Sequence, residues 1–306
     1  MTAVVPAAAG GDSPLIVCEG LRYAYGGTPV IDDLSFSVPR GGIHGLLGKN
    51  GAGKTTTINM LMGFLEPDAG RCTVLGEPSH RLRPDTRRRI GLLHEGFVQY
   101  DFMSIAELEA FHRRFHPDWR SDLFHELVSR LEVPASRRLS RMSWGQRSQV
   151  CLGLLMAQVP ELLILDDYSM GLDAGYRRLF LDYLRAYAAD TGTTVLLTSH
   201  IVQDLERLID HMLVLQRGRL LYSAPRGRFF EGFRQWRMQR TRQSSQLAAG
   251  DDLTCVEHIG HDTFVTCFLG EQELRALLRA RGIEPQGWAE VPMGFEDAFL
   301  NLTGKY

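Results

Sequence analysis

Gly48-Lys49-Asn50-Gly51-Ala52-Gly53-Lys54-Thr55 forms a complete phosphate-binding pattern, and the rest of the chain reads outward from it. Gly48, Gly51 and Gly53 leave the backbone bare, so that its N–H groups can close around phosphate oxygens. The Lys54 ammonium can reach the β- and γ-phosphates of a nucleotide, and the Thr55 hydroxyl can serve as a magnesium ligand. Ile43–Leu47 reads as a short apolar strand and Thr56–Phe64 as a helix whose positive N-terminus faces the phosphates. A glycine turn matching by accident would lack that strand and helix context. The pattern predicts a bound nucleoside triphosphate.

Composition sets the outer limits. A chain of 306 residues can bury a substantial core in one large or two modest domains. The 34 basic and 36 acidic residues nearly cancel, so no global field draws the chain to nucleic acid or anionic lipid. The five cysteines (Cys18, Cys72, Cys151, Cys255 and Cys267) are scattered without metal-ligand spacing, which favours a reducing compartment. Residues 1–14 read as a disordered tail, for the apolar opening stretch has a proline and no basic leader. No apolar run approaches the ~18 residues that span a bilayer, so a membrane role is expected to come through a partner.

Along the chain, Leu15–Pro39 mixes β-branched and aromatic residues with turn signals at Gly26-Gly27 and Asp32-Asp33, predicting antiparallel strands. Ile90–Leu93 is another short strand. Ser104-Ile105-Ala106-Glu107 has capping-box form, and Leu123, Phe124, Leu127, Val128 and Leu131 keep helical spacing, so 101–159 is expected to be mostly helical. Leu162–Leu165 and Val195–Thr198 are continuous apolar runs, the pattern of strands buried on both faces of a parallel sheet. Met212–Tyr222 reads as a hairpin turning at Arg217-Gly218. Eight arginines then fall between Arg217 and Arg242, and 226–252 reads as a solvated, arginine-rich linker. Residues 253–306 offer two short strands, a helix at Glu271–Arg281 and an amphipathic end at Phe295–Leu302.

A phosphate loop alone serves many enzymes, so the remaining motifs decide. Glu161–Asp167 is a buried strand ending in two acids. Asp166 stands where it can hold magnesium through water, and Asp167 where a general base can act on the attacking water. Met142-Ser143-Trp144-Gly145-Gln146 precedes a long helix, Gly171-Leu172-Asp173 follows the acids, and Thr198-Ser199-His200 ends the next strand.

In that order and spacing, residues 15–222 resemble the ATP-binding subunit of ABC transporters. The resemblance implies an α/β P-loop NTPase (RecA-like) core with an antiparallel β-subdomain and a helical subdomain over about 15–225, plus a small C-terminal α+β domain at 253–306. It implies that Tyr25 stacks on adenine, with Tyr23 the competing candidate. The phosphate loop is Gly48–Thr56, including Asn50, Ala52 and Thr56. Asp166 and Thr55 are implied at magnesium, Asp167 as the catalytic carboxylate, and His200 at the γ-phosphate and attacking water. Ser143, Gly145 and Gln146 belong to the signature that meets the ATP of an opposite subunit, and Asp173 lies in the loop linking the two sites. ATP and Mg2+ are thus the implied ligands. The implied partners are a second cassette, in a homodimer or a heterodimer, and an integral membrane permease that holds the chain at the inner, cytoplasmic face of the membrane. Nucleic acid is not expected.

Three departures from the family pattern bear on rate. Asp167 stands where glutamate is usual, followed by Tyr168 rather than proline. Glu95 stands where glutamine is usual, as a candidate magnesium ligand and catalytic group. Lys49 replaces the usual proline or serine. Aspartate is one methylene short, which withdraws its carboxylate by ~1 Å, a displacement that can cost about a hundredfold. Slow hydrolysis is therefore expected. The segment Phe115–Trp119 and the late Phe295–Gly304 are similar to the bacterial drug and peptide-antibiotic exporter branch, whose permease is a separate chain. Two other readings remain: a non-transport ABC ATPase acting on nucleic acid or the ribosome, and a slow ATP-dependent regulatory switch. The short interval between Lys54 and Ser143 and the neutral charge balance weigh against the first; Asp167 is the motive for the second.

Overall fold

The computed structural model describes residues 13–94, 100–168, 172–199, 202–250 and 252–304. The chain divides into two compact units, with the division between Ser223 and Ala224.

The first unit opens with β1 (Ile16–Tyr25) and β2 (Thr28–Val38), paired antiparallel across Gly26 and Gly27. Both glycines have positive φ, 55° and 86°, which gives a two-residue turn whose twist matches the strands. With β4 (Ala69–Val74) and the two-residue β5 (Glu77–Pro78) they form a sheet in the order β2-β1-β4-β5. Alternate residues Ile16 and Cys18 of β1, with Leu34, Phe36 and Val38 of β2, turn into the core.

The second sheet contains β3 (Ile43–Leu47), β6 (Ile90–Leu93), β7 (Leu162–Leu165), β8 (Thr194–Leu197), β9 (His211–Gln216) and β10 (Arg219–Pro225), in the order β10-β9-β3-β8-β7-β6. Strands β9, β3, β8, β7 and β6 are parallel neighbours. Every residue of β3, β7 and β8 is buried, as strands covered on both faces must be. Arg217 and Gly218, with φ 49° and 76°, turn β9 into β10, the hairpin expected from the sequence.

Helix α1 (Lys54–Leu61) follows β3. It begins two residues earlier than expected and closes through Gly63, where φ is 68° and Phe64 N–H donates to the Asn59 carbonyl at 2.8 Å. A short α2 (Pro84–Arg88) precedes β6. Helices α3 (Ile105–Arg113), α4 (Ser121–Ser129) and α5 (Trp144–Ala157) make the expected helical region, around a core that includes Leu108, Phe124, Val128, Val150 and Leu154. Ser104 and Glu107 close a reciprocal cap on α3. Helices α6 (Ala174–Thr191) and α7 (Val202–Leu205) flank β8 in sequence.

The second unit corrects the expected linker. Helix α8 (Arg226–Gly232) leads into β11 (Arg234–Gln239), which pairs antiparallel with β13 (Asp262–Cys267) on one side and β14 (Ala289–Val291) on the other. With β12 (Cys255–Ile259) the sheet order is β12-β13-β11-β14, so the segment read as a solvated linker supplies an interior strand. Trp236 and Met238 alternate with exposed arginine and glutamine and enter a core with Val265, Leu274 and Leu278. The Trp236 ring stacks on Trp288 at 5.1 Å. Arginine density hid a period-two pattern. Helices α9 (Glu271–Ala280) and α10 (Phe295–Thr303) complete the unit. The expected tail lies outside the described residues apart from Ser13 and Pro14.

Candidate nucleotide and hydrolysis site

The carboxyl ends of the parallel strands bring the motifs together, where open α/β sheets bind their ligands. After β3 the chain enters the loop Gly48–Gly53. A Cβ on Gly48 would lie 2.7 Å from the Leu215 carbonyl oxygen and 2.9 Å from the Ala52 Cβ, so glycine is required by close approach. Gly53 has φ 103°, a backbone conformation that other residues rarely adopt, and a Cβ there would lie 2.6 Å from Ile31 Cδ1, which would have to shift. Ala52 N–H donates to the Lys49 carbonyl at 3.1 Å, and Gly218 N–H donates to the Ala52 carbonyl at 3.1 Å, anchoring the loop to the β9–β10 turn. Among the described residues no side chain caps α1, and its first turn holds no acid, which leaves that helix end suited to an anion.

The loop borders a cavity of about 570 Å³ lined by Val30, Asn50, Gly51, Gly53, Lys54, Thr55, Thr56 and Asp167. Lys54 Nζ donates to the Gly48 carbonyl at 2.7 Å and the Lys49 carbonyl at 3.1 Å, so the ammonium lies across its own loop. Asp167 comes to the same cavity from the end of β7, more than a hundred residues later in the chain.

The two acids are held differently. Asp166 N–H donates to the Leu93 carbonyl at 2.8 Å, extending the β6–β7 ladder by one step. Its side chain is 2% exposed, and its Oδ1 accepts a hydrogen bond from the Thr198 hydroxyl at 2.8 Å. Oδ2 is buried with no hydrogen-bond partner among the described residues. A buried carboxylate oxygen left open, one residue before the cavity-lining Asp167, fits a hard divalent cation that keeps most of its waters. Asp167 has φ 49°, a left-handed conformation that aspartate tolerates better than most side chains. Its N–H donates to Thr198 Oγ1 at 2.9 Å. Tyr168, in place of the usual proline, is fully buried and packs on Phe180 with ring centroids 5.7 Å apart. Burial pushes its phenol well above the ordinary tyrosine range.

The other expected site residues lie elsewhere. Tyr25 is 47% exposed near the hairpin turn, edge-on to Tyr23 at 4.9 Å, and is not among the residues lining the cavity. Ser143 caps α5: its Oγ accepts from Gln146 N–H at 3.3 Å, and Gln146 Oε1 accepts from Ser143 N–H at 3.0 Å. Gly145 and the exposed Trp144 lie in that first turn, also apart from the cavity. Asp173 caps α6 by accepting from Tyr176 N–H at 2.8 Å. Glu95, His200 and Gly171 lie outside the described residues. Sequence reasoning passed over Val30, which lines the cavity from β2, and Thr198, read merely as preceding His200. The equal register of β7 and β8, with Leu165 opposite Leu197, is the signal that sets Thr198 beside Asp166.

A glycine loop after a parallel strand, an uncapped helix end and an acid pair on a neighbouring strand define a P-loop nucleotide-hydrolysing protein. The comparisons narrow that class. Residues 31–169 match the family described as ABC transporter. A protein of Ralstonia nicotianae named Nod factor export ATP-binding protein I is 38% identical over 318 residues, covering 96% of this chain and 95% of its own length. One of the same name from Bradyrhizobium diazoefficiens is 38% identical over 319 residues, covering 94% and 95%. A solved structure described as the ATP binding subunit of an ABC transporter superposes with a TM-score of 0.63 at 26% identity, covering 71% of this chain and 92% of its own. A bacterial Atm1-family ABC exporter with ATP bound, at 21% identity and a TM-score of 0.63, shares the fold. The chain belongs to the ABC transporter family, as an ATP-binding subunit whose ATPase activity drives transport through a membrane permease. No helix of the described residues is long and apolar enough to cross a membrane.

Proposed function

We propose that the chain binds Mg2+-ATP at Gly48–Thr56, hydrolyses it with Asp167, and powers export through its permease. The carrying observation is the cavity shared by Lys54, Thr55 and Asp167. Lys54 leaves the loop carbonyls to neutralise the β- and γ-phosphates, and the bare N–H groups of the loop take up the phosphate oxygens. Asp166, through Oδ2, and Thr55 hold the divalent cation, which supplies charge neutralisation of the phosphates when bound. Asp167 orients the attacking water and accepts its proton. Its short side chain makes hydrolysis slower than a glutamate would. Glu95 and His200 complete the hydrolytic set at the metal and the γ-phosphate, while Tyr25 takes the adenine face.

Ser143, Gly145 and Gln146 meet the γ-phosphate of a second copy's ATP, with Asp173 beside the junction, and a homodimer is the assembly proposed. Export as the direction rests on the names of the relatives; the permease selects the cargo. A surface for that permease lies at the two ends of α3. Tyr100, Phe102 and Phe115 are exposed large aromatics; Tyr100 meets Phe102 at 5.9 Å and joins Phe115 through Phe111 at 5.4 and 5.1 Å. A patch of this kind suits an apolar partner segment better than water.

The test is ATP hydrolysis by the chain reconstituted with its permease in vesicles, with transport followed alongside. Stimulation by the permease, lost in Phe102→Ser with basal hydrolysis intact, supports the reading. Slow hydrolysis that the permease leaves unchanged favours the nucleotide switch, for which Asp167 is the motive.

A further inference from the structure

Thr198 follows the last residue of β8 and is 1% exposed. A hydroxyl has one proton to give and lone pairs to receive, and both capacities are used on the acid pair. The proton goes to Asp166 Oδ1 at 2.8 Å, and the oxygen accepts Asp167 N–H at 2.9 Å. One side chain thereby determines which oxygen of Asp166 is left open and holds the left-handed backbone of Asp167, which lines the cavity.

We infer that Thr198 is a positioning residue for hydrolysis, setting the metal-facing carboxylate and the catalytic carboxylate together through its hydroxyl. The inference rests on the proposed roles of Asp166 and Asp167. A plain structural role predicts something different: a buried threonine that joins strands, as Thr194 does by accepting Gly41 N–H at 2.7 Å. Thr194 is equally buried on the same strand and touches neither acid, which makes it the control. Partners that orient a metal-ligating carboxylate typically matter about 10–100-fold in metal affinity or activity.

The experiment uses the full chain and a fluorescent ATP analogue, titrated in EDTA and against Mg2+, with steady-state hydrolysis measured on the same proteins. Thr198→Val keeps the shape and removes the hydroxyl. Its analogue affinity in EDTA should match wild type, while half-saturation by Mg2+ rises, or kcat falls, by about 10–100-fold. Thr198→Ser restores the hydroxyl and should restore both. Thr194→Val should lower thermal stability without moving the Mg2+ response. If Thr198→Val does not fold, Thr198→Ala is read in the same way. A Thr198→Val protein with wild-type Mg2+ response and kcat, beside an Asp166→Asn protein that has lost its Mg2+ response, overturns this inference alone. So does a Thr198→Ser protein as impaired as Thr198→Val, or a Thr194→Val protein shifted equally. A wild-type chain whose analogue binding and hydrolysis ignore Mg2+ overturns the proposed metal site and this inference with it.

Discussion

The phosphate loop and the acid pair stand at the ends of strands in one sheet, yet they keep their shapes by different means. The loop is shaped by what it lacks: Gly48 passes too close to Leu215 and Ala52 for any side chain, and Gly53 takes a φ of 103°. The acid pair is shaped by a side chain brought from another strand, for Thr198 holds both Asp166 and Asp167. The loop needs bare backbone at positions its own sequence specifies, even where the close neighbour is the distant Leu215; the acid pair needs register across the sheet. The first should fail through steric or charge changes within the loop, the second through changes distant in sequence.

The largest expected effect lies in the loop. Lys54→Ala removes the ammonium that compensates the phosphates and should reduce hydrolysis by about 10²–10³-fold, with circular dichroism unchanged. Undiminished turnover in a folded Lys54→Ala protein would remove the loop from the comparison altogether.

At the acid pair, Asp167→Glu brings the carboxylate about 1 Å closer and should raise hydrolysis, by at most about a hundredfold. The same change puts glutamate where φ is 49°, at a stability cost of up to about 1–2 kcal/mol. Steady-state ATPase with the permease, paired with denaturant unfolding, reads both. A slower enzyme would mean that the site has been built around aspartate, and that Asp167 is not a handicap.

Gly48→Ala should destabilise the chain by about 1–3 kcal/mol, because the Leu215 carbonyl is backbone and cannot step aside cheaply. Unfolding and nucleotide titration should both register it. An alanine accepted without loss in either would show that the loop has more room than its contacts indicate.

The smallest effect distinguishes the strands beneath the two sites. His44 on β3 and His211 on β9 are parallel neighbours with ring centroids 5.8 Å apart, whereas β7 and β8 contain no histidine. Burial lowers both imidazoles, and His211 reaches about 4. The folded state therefore favours the neutral rings. Their contribution to stability is complete above the unfolded value near 6.5 and declines as pH falls toward about 4. A modest drop in melting temperature across that window, reduced in His211→Gln, is expected; an unchanged drop in the variant would assign the pH response to other groups.

The correction in the second unit follows the same division between local and distant causes. The run Arg234-Gln235-Trp236-Arg237-Met238-Gln239 has the alternation of a strand with one covered face, but arginine is also what a solvated tether contains. The difference lies in β13 and β14, which come later in the chain and bracket β11 on both sides. A strand's place in a sheet is a property of its partners. Its own residues show that it can pair, not that it will.

The sequence by itself determined the phosphate loop, the order of the motifs, the buried parallel strands, the hairpin at Arg217-Gly218 and the cap at Ser104–Glu107. Each is written in a pattern a few residues long: a run of glycines, an apolar run long enough for a strand, a side chain that can reach its own helix end. Tertiary structure decided that Asp167 shares a cavity with Lys54, that one oxygen of Asp166 is left open, that Thr198 governs both acids, and that β11 is an interior strand rather than a tether. Those outcomes depend on register between strands separated by tens to hundreds of residues, which packing of the whole core selects and no single stretch of chain records.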